Sequence, residues 1–120
     1  MKLKSHLQYE RDFCNMMKTA GFHTERVAAS GRRKGSVCDA VLFTSGNCFL
    51  VEVKSTRHKF FDLSGGLHGI VEACEGRNVL PLIAVYFKSH HSSEGPGRWV
   101  LKVINKELRR IDKHDRSEEI

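Results

Sequence analysis

The sequence predicts a single mixed α/β domain in which helices flank a sheet. Its 120 residues are enough for one compact core but not for two. Helical and strand patterns alternate along it in the order α-β-β-β-α-β-β-α, which is typical of mixed α/β folds. A composition of 40% hydrophobic and 28% charged residues is ordinary for a soluble globular domain. We expect residues 1–112 to form the domain and residues 113–120 a polar tail.

The first helix is predicted over residues 5–20, and Gly21 provides a good C-terminal cap. One face carries an apolar stripe in which Glu10 is the exception, because a helical glutamate normally faces solvent. Glu10 is either an edge residue paired with Arg11 or another base, or a functional acid. The stripe consists of Leu3, Leu7, Glu10, Cys14 and Met17.

A first strand over residues 21–28 leads into a polar loop over residues 29–36. Two glycines of this loop enclose Arg32, Arg33 and Lys34. Such a flexible basic arm suits a phosphate backbone, although an exposed solubilising loop explains this stretch equally simply.

The central feature is a predicted β-hairpin, in which residues 36–43 and 48–54 form the strands around a turn at residues 44–47. Asp39, Glu52 and Lys54 interrupt these apolar strands, and such charges destabilise a core unless they are paired. Because side chains alternate along a strand, Glu52 and Lys54 share a face. A loop with an even number of residues would bring Asp39 to the same face, and an odd loop would not.

The second half of the chain predicts alternating elements around a buried strand. Residues 55–63 are basic and then aromatic, which indicates irregular structure, and residues 78–87 form an apolar run typical of a strand buried on both faces. A helix over residues 66–75, capped by Ser64, should turn Ile70, Val71 and Cys74 inward. A strand over residues 98–104 and a short helix from Asn105 through Ile111 should follow, before a tail too polar to pack.

The net charge of the chain indicates the class of binding partner. The formal charge of +6 and a pI near 9.4 favour polyanions, nucleic acid first. No apolar run approaches the length of a membrane span, so we expect an intracellular protein with no membrane partner.

The cysteines lack paired spacing and are expected to be free, buried thiols: Cys14, Cys38, Cys48 and Cys74.

The hairpin charges fit a metal-dependent hydrolase. Asp39 and Glu52, together with the backbone carbonyl of Val53, offer the oxygen ligands that a hard divalent cation prefers. Lys54 would reach the water or phosphate held there, which completes the parts needed to hydrolyse a phosphodiester. The simpler alternative is an Asp39–Lys54 ion pair between strands, which would leave Glu52 and Glu10 unexplained.

The order of these motifs resembles the archaeal Holliday-junction resolvases of the PD-(D/E)xK nuclease superfamily. The likeness covers roughly residues 7–56: Glu10 in a helix, Gly21-Phe22, Val27-Ala28-Ala29-Ser30-Gly31, Asp39, and Val51-Glu52-Val53-Lys54-Ser55. It implies a restriction-endonuclease-like fold and a homodimer that nicks two opposed strands of a four-way DNA junction.

The resemblance also implies roles for single residues. Asp39 and Glu52 would bind Mg²⁺, for which Mn²⁺ would substitute, and Lys54 would assist catalysis. Glu10 would be an acidic residue near the metal and a further candidate ligand, and Ser30 would contribute to junction cleavage. DNA would be gripped by Arg32, Arg33, Lys34, Arg57 and Lys59.

Two departures keep other functions open. Cys38 replaces the usual proline before the first acid, and residues 64–76 lack a polar residue that matches the glutamine often found there. The alternatives are another nuclease of the superfamily, acting on duplex, flap or single-stranded DNA, and a nucleic-acid-binding module that does not cleave. Asp39, Glu52 and Lys54 argue against the module, since buried acids would only repel phosphate.

Neutralising Arg32 and Arg33 tests the basic loop. Replacing both by glutamine should weaken DNA binding. It should also lower the slope of log Kd against log salt concentration by up to about two, because binding with fewer phosphate contacts releases fewer counterions from the DNA. The measurement is a titration of labelled junction DNA at several salt concentrations. An unchanged slope would assign the loop to the solvated surface.

Overall fold

The computed structural model describes residues 4–28, 37–63, 67–89 and 96–120. Helices and strands alternate along these segments in the order α-β-β-β-β-α-β-β-β. The elements are α1 (His6–Thr19), β1 (His23–Arg26), β2 (Ala40–Phe43), β3 (Cys48–Thr56), β4 (Phe60–Asp62), α2 (His68–Cys74), β5 (Leu80–Phe87), β6 (Arg98–Val103) and β7 (Arg110–Asp112).

A five-stranded sheet with strand order β1-β2-β3-β5-β6 organises the chain. β3 and β5 pair in parallel and the other neighbours are antiparallel, so the sheet is mixed, as predicted. β5 lies between β3 and β6 and is buried on both faces over Leu82–Val85, which confirms its predicted internal position. β4 and β7 form a separate antiparallel pair.

Local signals define both ends of α1. The Ser5 side chain accepts a hydrogen bond from the Gln8 amide at the first turn. At the other end the amide of Phe22 donates to the Met17 carbonyl at 3.0 Å, and Gly21 adopts φ 95°. This is a Schellman cap, whose left-handed residue is glycine because it has no Cβ. The predicted bounds of α1 are therefore confirmed.

Two apolar cores cover opposite faces of the sheet. The first joins Phe13 of α1 to Val51 and Val53 of β3, and the second contains Ile83 and Val85 of β5. Glu52 pairs with Ile83, and Lys54 with Val85, in the parallel register. Since paired residues point to the same face, these two charged side chains lie on the face opposite α1.

Two predictions for the second half of the chain are wrong. β4 lies within the segment expected to be irregular, and the last helix is absent because residues 110–112 form β7. The Asn105 side chain accepts hydrogen bonds from the amides of Glu107 and Leu108, which makes a turn and not a helix cap. Ile111 of β7 is fully buried opposite Phe61 of β4, and this pairing favours the strand.

The remaining differences concern α2 and the C-terminus. α2 buries Ile70 and Cys74 as predicted, whereas Val71 is 41% exposed. The tail packs, against expectation, because the Glu118 amide donates to the Leu101 carbonyl and Ile120 contacts the core beside α1. The division at residue 112 stays a prediction. No helix in the described segments is long and apolar enough to span a membrane.

Gly97→Ala tests the packing at the end of β5. A Cβ at Gly97 would overlap the Tyr86 ring, which packs against Tyr9 at 5.3 Å and Trp99 at 5.2 Å between centroids and has little room to move. We expect a loss of about 1–3 kcal/mol in the free energy of unfolding, measured by urea denaturation. Gly46→Ala is the matched control, because nothing lies within 4 Å of its added Cβ. Equal effects of the two substitutions would contradict the overlap.

Candidate active site

The hairpin turn places Asp39 beside Glu52. Ala40 pairs with Val51, and the connecting loop contains the four residues 44–47, so the even-length condition is met. The carboxyl group of Glu52 lies close enough to that of Asp39 for the Asp39 charge to raise its pKa. The Asp39 amide donates to the Val51 carbonyl at 2.8 Å, and its Oδ2 accepts a 2.8 Å hydrogen bond from the Val53 amide. Backbone geometry thus fixes the orientation of this carboxylate.

Glu52 carries the largest electrostatic perturbation of the site. Its burial and the neighbouring Asp39 charge raise its pKa from 4.5 to about 7, against the opposing effect of Lys54. Lys54 Nζ lies 3.4 Å from Glu52 Oε1, so this lysine pairs with Glu52 and the simple Asp39–Lys54 ion pair is not what the hairpin forms.

Glu10 reaches Asp39 from the helix side of the sheet. It is buried, at 8% exposure, and lies 3.1 Å from His6 Nε2 and 3.6 Å from Arg26 Nη1, measured from its carboxylate oxygens. Burial and the Asp39 charge raise the pKa of Glu10, and His6 and Arg26 act in the opposite direction. The base paired with Glu10 is therefore not its neighbour Arg11.

Asp39 is shared by two groups of side chains. On one side lie Glu52 and Lys54, and on the other lie His6 and Glu10, whose donor atoms all fall within 4.8 Å of one another and of Asp39. Carboxylate oxygens converging in a partly buried position are the donors that a divalent cation requires. The residues present fit such an ion.

The other predicted site residues are placed less centrally. Arg57 and Lys59 are exposed in the turn after β3, at the end of the strand that carries Lys54. The Val53 amide contacts Asp39, and its carbonyl as a ligand stays a prediction. The remaining predicted residues lie outside the described residues: Ser30, Arg32, Arg33 and Lys34.

Sequence reasoning did not single out His6 or Arg26. His6 precedes Glu10 by four residues on the same helix, a spacing that places two side chains on one face, so a search around Glu10 would have found it. Arg26 ends β1 and meets Glu10 only through the packing of α1 on the sheet. No local pattern could have indicated that contact.

A mixed sheet with this acidic hairpin and lysine defines a nuclease of the restriction-endonuclease-like class. The family model described as "Archaeal holliday junction resolvase (hjc)" matches residues 2–117. The chain belongs to this family, which confirms the resemblance noted in the sequence. None of the curated protein sequences compared with the chain matches it.

A solved structure shows the same fold. The chain superposes on the 1.6 Å structure of Hjc from Archaeoglobus fulgidus, a Holliday junction resolvase from an archaeal hyperthermophile, with a TM-score of 0.65 and 22% identity. The match covers 88% of this chain and 85% of that one.

Family membership also sets the function in broad terms. The chain is a Holliday junction resolvase, an endonuclease of DNA recombination and repair that binds branched DNA. A nuclease of this family implies a divalent metal, which the donor set around Asp39 fits.

The raised pKa of Glu52 predicts a pH-dependent stability in metal-free protein. Between pH 4.5 and about 7 the folded state keeps a proton that the unfolded chain loses, so the free energy of unfolding falls as pH rises through this window. Glu52→Gln cannot ionise and avoids the loss. The free energy of unfolding of Glu52→Gln, relative to that of wild type, should therefore rise by up to about 3 kcal/mol from pH ~4 to pH ~8, measured by urea denaturation in EDTA.

Glu107→Gln is the control, because Glu107 is exposed and lies far along the chain in the turn before β7. Its stability difference from wild type should not change with pH. If the wild-type and Glu52→Gln curves run parallel across the window, Glu52 does not titrate near neutrality.

Proposed function

We propose that this chain is a Mg²⁺-dependent endonuclease that resolves four-way DNA junctions by phosphodiester hydrolysis, with paired nicks made by a homodimer. The observation that carries the proposal is the grouping of Asp39, Glu52 and Lys54: the Asp39 charge raises the pKa of Glu52, and Lys54 Nζ lies 3.4 Å from Glu52 Oε1. Three charged groups that oppose burial are held together on one hairpin, which a binding surface alone does not require.

Asp39 and Glu52 are the proposed ligands, with the Val53 carbonyl as a third and Glu10 as a further candidate. Because the raised pKa of Glu52 keeps its carboxyl group partly protonated near neutrality, a divalent cation would replace that proton and relieve the repulsion from Asp39. When bound, Mg²⁺ supplies Lewis-acid charge and an activated water. Mn²⁺, which also accepts carboxylate oxygens, should substitute for it.

Lys54 is proposed to stabilise the charge that develops on the scissile phosphate. Its ammonium lies 3.4 Å from Glu52, and its side chain is 39% exposed, so it can contact both the site and a DNA strand. A positioned cation at developing negative charge is among the largest contributions to catalysis. Ion pairing with Glu52 holds the flexible lysine in place before DNA binds.

The surrounding cations are proposed to position DNA. Arg57 and Lys59 are exposed beyond Lys54 on the same end of β3, where they can contact phosphates flanking the cut. The loop with Ser30, Arg32, Arg33 and Lys34 precedes Asp39 by a few residues along the chain. Its assigned roles in cleavage and DNA binding rest on the family resemblance.

A homodimer is proposed from the symmetry of the substrate. Resolution of a four-way junction needs cuts on two strands of like polarity, and this chain carries a single Asp39–Glu52 pair. A two-fold dimer would supply two equivalent sites in a fixed relation. Paired nicks within one binding event would then follow from geometry.

Asp39→Asn and Glu52→Gln test the proposal on a panel of labelled DNAs: four-way junction, flap, linear duplex and single strand, each with Mg²⁺ or EDTA. Wild type should introduce symmetric paired nicks into the junction alone, and only with Mg²⁺. Each variant should lose at least about 100-fold in cleavage rate because a metal ligand is removed. Junction affinity should survive or increase, since one phosphate-repelling charge is gone.

Glu107→Gln serves as the matched substitution, because it removes an exposed carboxylate and should leave cleavage unchanged. Cleavage of flaps or duplex ends in preference to junctions would indicate another nuclease of the superfamily. Tight junction binding without any metal-dependent cut would indicate a binding module. Wild-type rates in either site variant would refute the assignment of the metal ligands.

A further inference from the structure

His6 occupies a position that the proposed Mg²⁺ site does not use. It lies one turn before Glu10 in α1, and its Nε2 is 3.1 Å from Glu10 Oε2 and 3.9 Å from Asp39 Oδ2. Its side chain is 51% exposed, whereas that of Glu10 is 10% exposed. His6 thus forms the solvent-facing rim of a pocket of acids.

We propose that His6 is a nitrogen ligand that, with Glu10 and Asp39, forms a second metal position with a preference for Mn²⁺ over Mg²⁺. This inference rests on the proposed function of Asp39 as part of a metal-dependent nuclease site. It adds a metal position on the α1 side of Asp39, opposite Glu52 and Lys54.

The spacing of the three donor atoms suits one ion. Ligands about 2.1 Å from an octahedral metal lie about 3.0 Å apart when adjacent and about 4.2 Å apart when opposite. The His6–Glu10 separation of 3.1 Å corresponds to adjacent ligands, and the His6–Asp39 separation of 3.9 Å lies between the two values. The third separation is at most 4.8 Å, so small side-chain rotations complete the set.

The chemistry of the donors selects the metal. Mg²⁺ and Ca²⁺ take oxygen ligands, whereas first-row divalent metals also accept an imidazole nitrogen, and Mn²⁺ is the member of that series that shares the carboxylate preference of Mg²⁺. A set of one imidazole nitrogen and two carboxylates accordingly binds Mn²⁺ more tightly than an all-oxygen set of the same size would. The Asp39–Glu52 side offers only oxygen and suits Mg²⁺.

The helix makes His6 a well-placed ligand. Residues four apart on a helix share a face, and α1 is held against the sheet by buried Tyr9 and Phe13 on neighbouring positions. His23 differs although it too lies near a glutamate: its Nε2 is 3.3 Å from Glu25, but both side chains are more than half exposed, and among the described residues no third donor joins them.

His6→Ala tests the inference by metal titration calorimetry on the otherwise unchanged protein. Kd for Mn²⁺ should rise at least about tenfold, while Kd for Mg²⁺ should change by less than about threefold. His23→Gln is the matched control and should alter neither value. Circular dichroism should show an unchanged fold, because His6 is half exposed in the first turn of α1.

A spectroscopic readout identifies the ligand directly. Electron spin echo modulation of the Mn²⁺ complex should show ¹⁴N coupling from a bound imidazole in wild type and in His23→Gln. The coupling should disappear in His6→Ala, and also in His6→Gln, which offers an oxygen and should retain more Mn²⁺ affinity than alanine.

The outcomes separate this inference from the proposed function. Mn²⁺ binding that is lost in Asp39→Asn but unaffected in His6→Ala would overturn the role of His6 and leave the nuclease site intact. Equal losses for Mn²⁺ and Mg²⁺ in His6→Ala would overturn the metal preference. Binding that survives in both Asp39→Asn and His6→Ala would overturn the metal site and the inference together.

Discussion

The site depends on the hydrogen bond from the Val53 amide to the Asp39 carboxylate, 2.8 Å long. Asp39 also donates its amide to the Val51 carbonyl and accepts at its own carbonyl from the Val27 amide. These bonds hold both its backbone and its side chain between two neighbouring strands. Because the carboxylate bonds to a backbone amide, its position follows from the sheet register and needs no other side chain. Any slip of the hairpin would move Asp39 away from Glu52 and destroy the site.

The clustering of acidic side chains at the site lowers the stability of the fold. Glu10, Asp39 and Glu52 are each partly or largely buried, and burial raises the pKa of both glutamates. A core made only for stability would place apolar residues here, and the chain offsets the repulsion with His6, Arg26 and Lys54. Buried groups with shifted pKa values cluster at functional sites because catalysis needs charges that folding disfavours.

Local patterns predicted the fold and site wherever neighbouring residues decided them. The hairpin, the ends of α1 and the burial of Glu10 depend on period and cap residues, which the sequence displays. β4 and β7 could not be predicted in this way, because each has three residues and they pair across about fifty positions. The contact of Arg26 with Glu10 also joins two different elements, so it could not be predicted from neighbouring residues. His6 was accessible from its spacing to Glu10, but a histidine on an exposed helix turn carries no signal until its neighbour is known to be a site residue.

The sheet itself explains why an acid must come from the helix. Side chains alternate along β3, so Glu52 and Lys54 face away from α1, while Val51 and Val53 point to the opposite face and belong to the core under α1. A further carboxylate on the same hairpin would either join the Glu52 side or replace a core valine. Only an element packed on the other face can approach Asp39 from the opposite direction, and α1 does so through Glu10 and His6. Two elements with independent positions thereby give Asp39 two distinct ligand environments, one of oxygen alone and one that includes nitrogen.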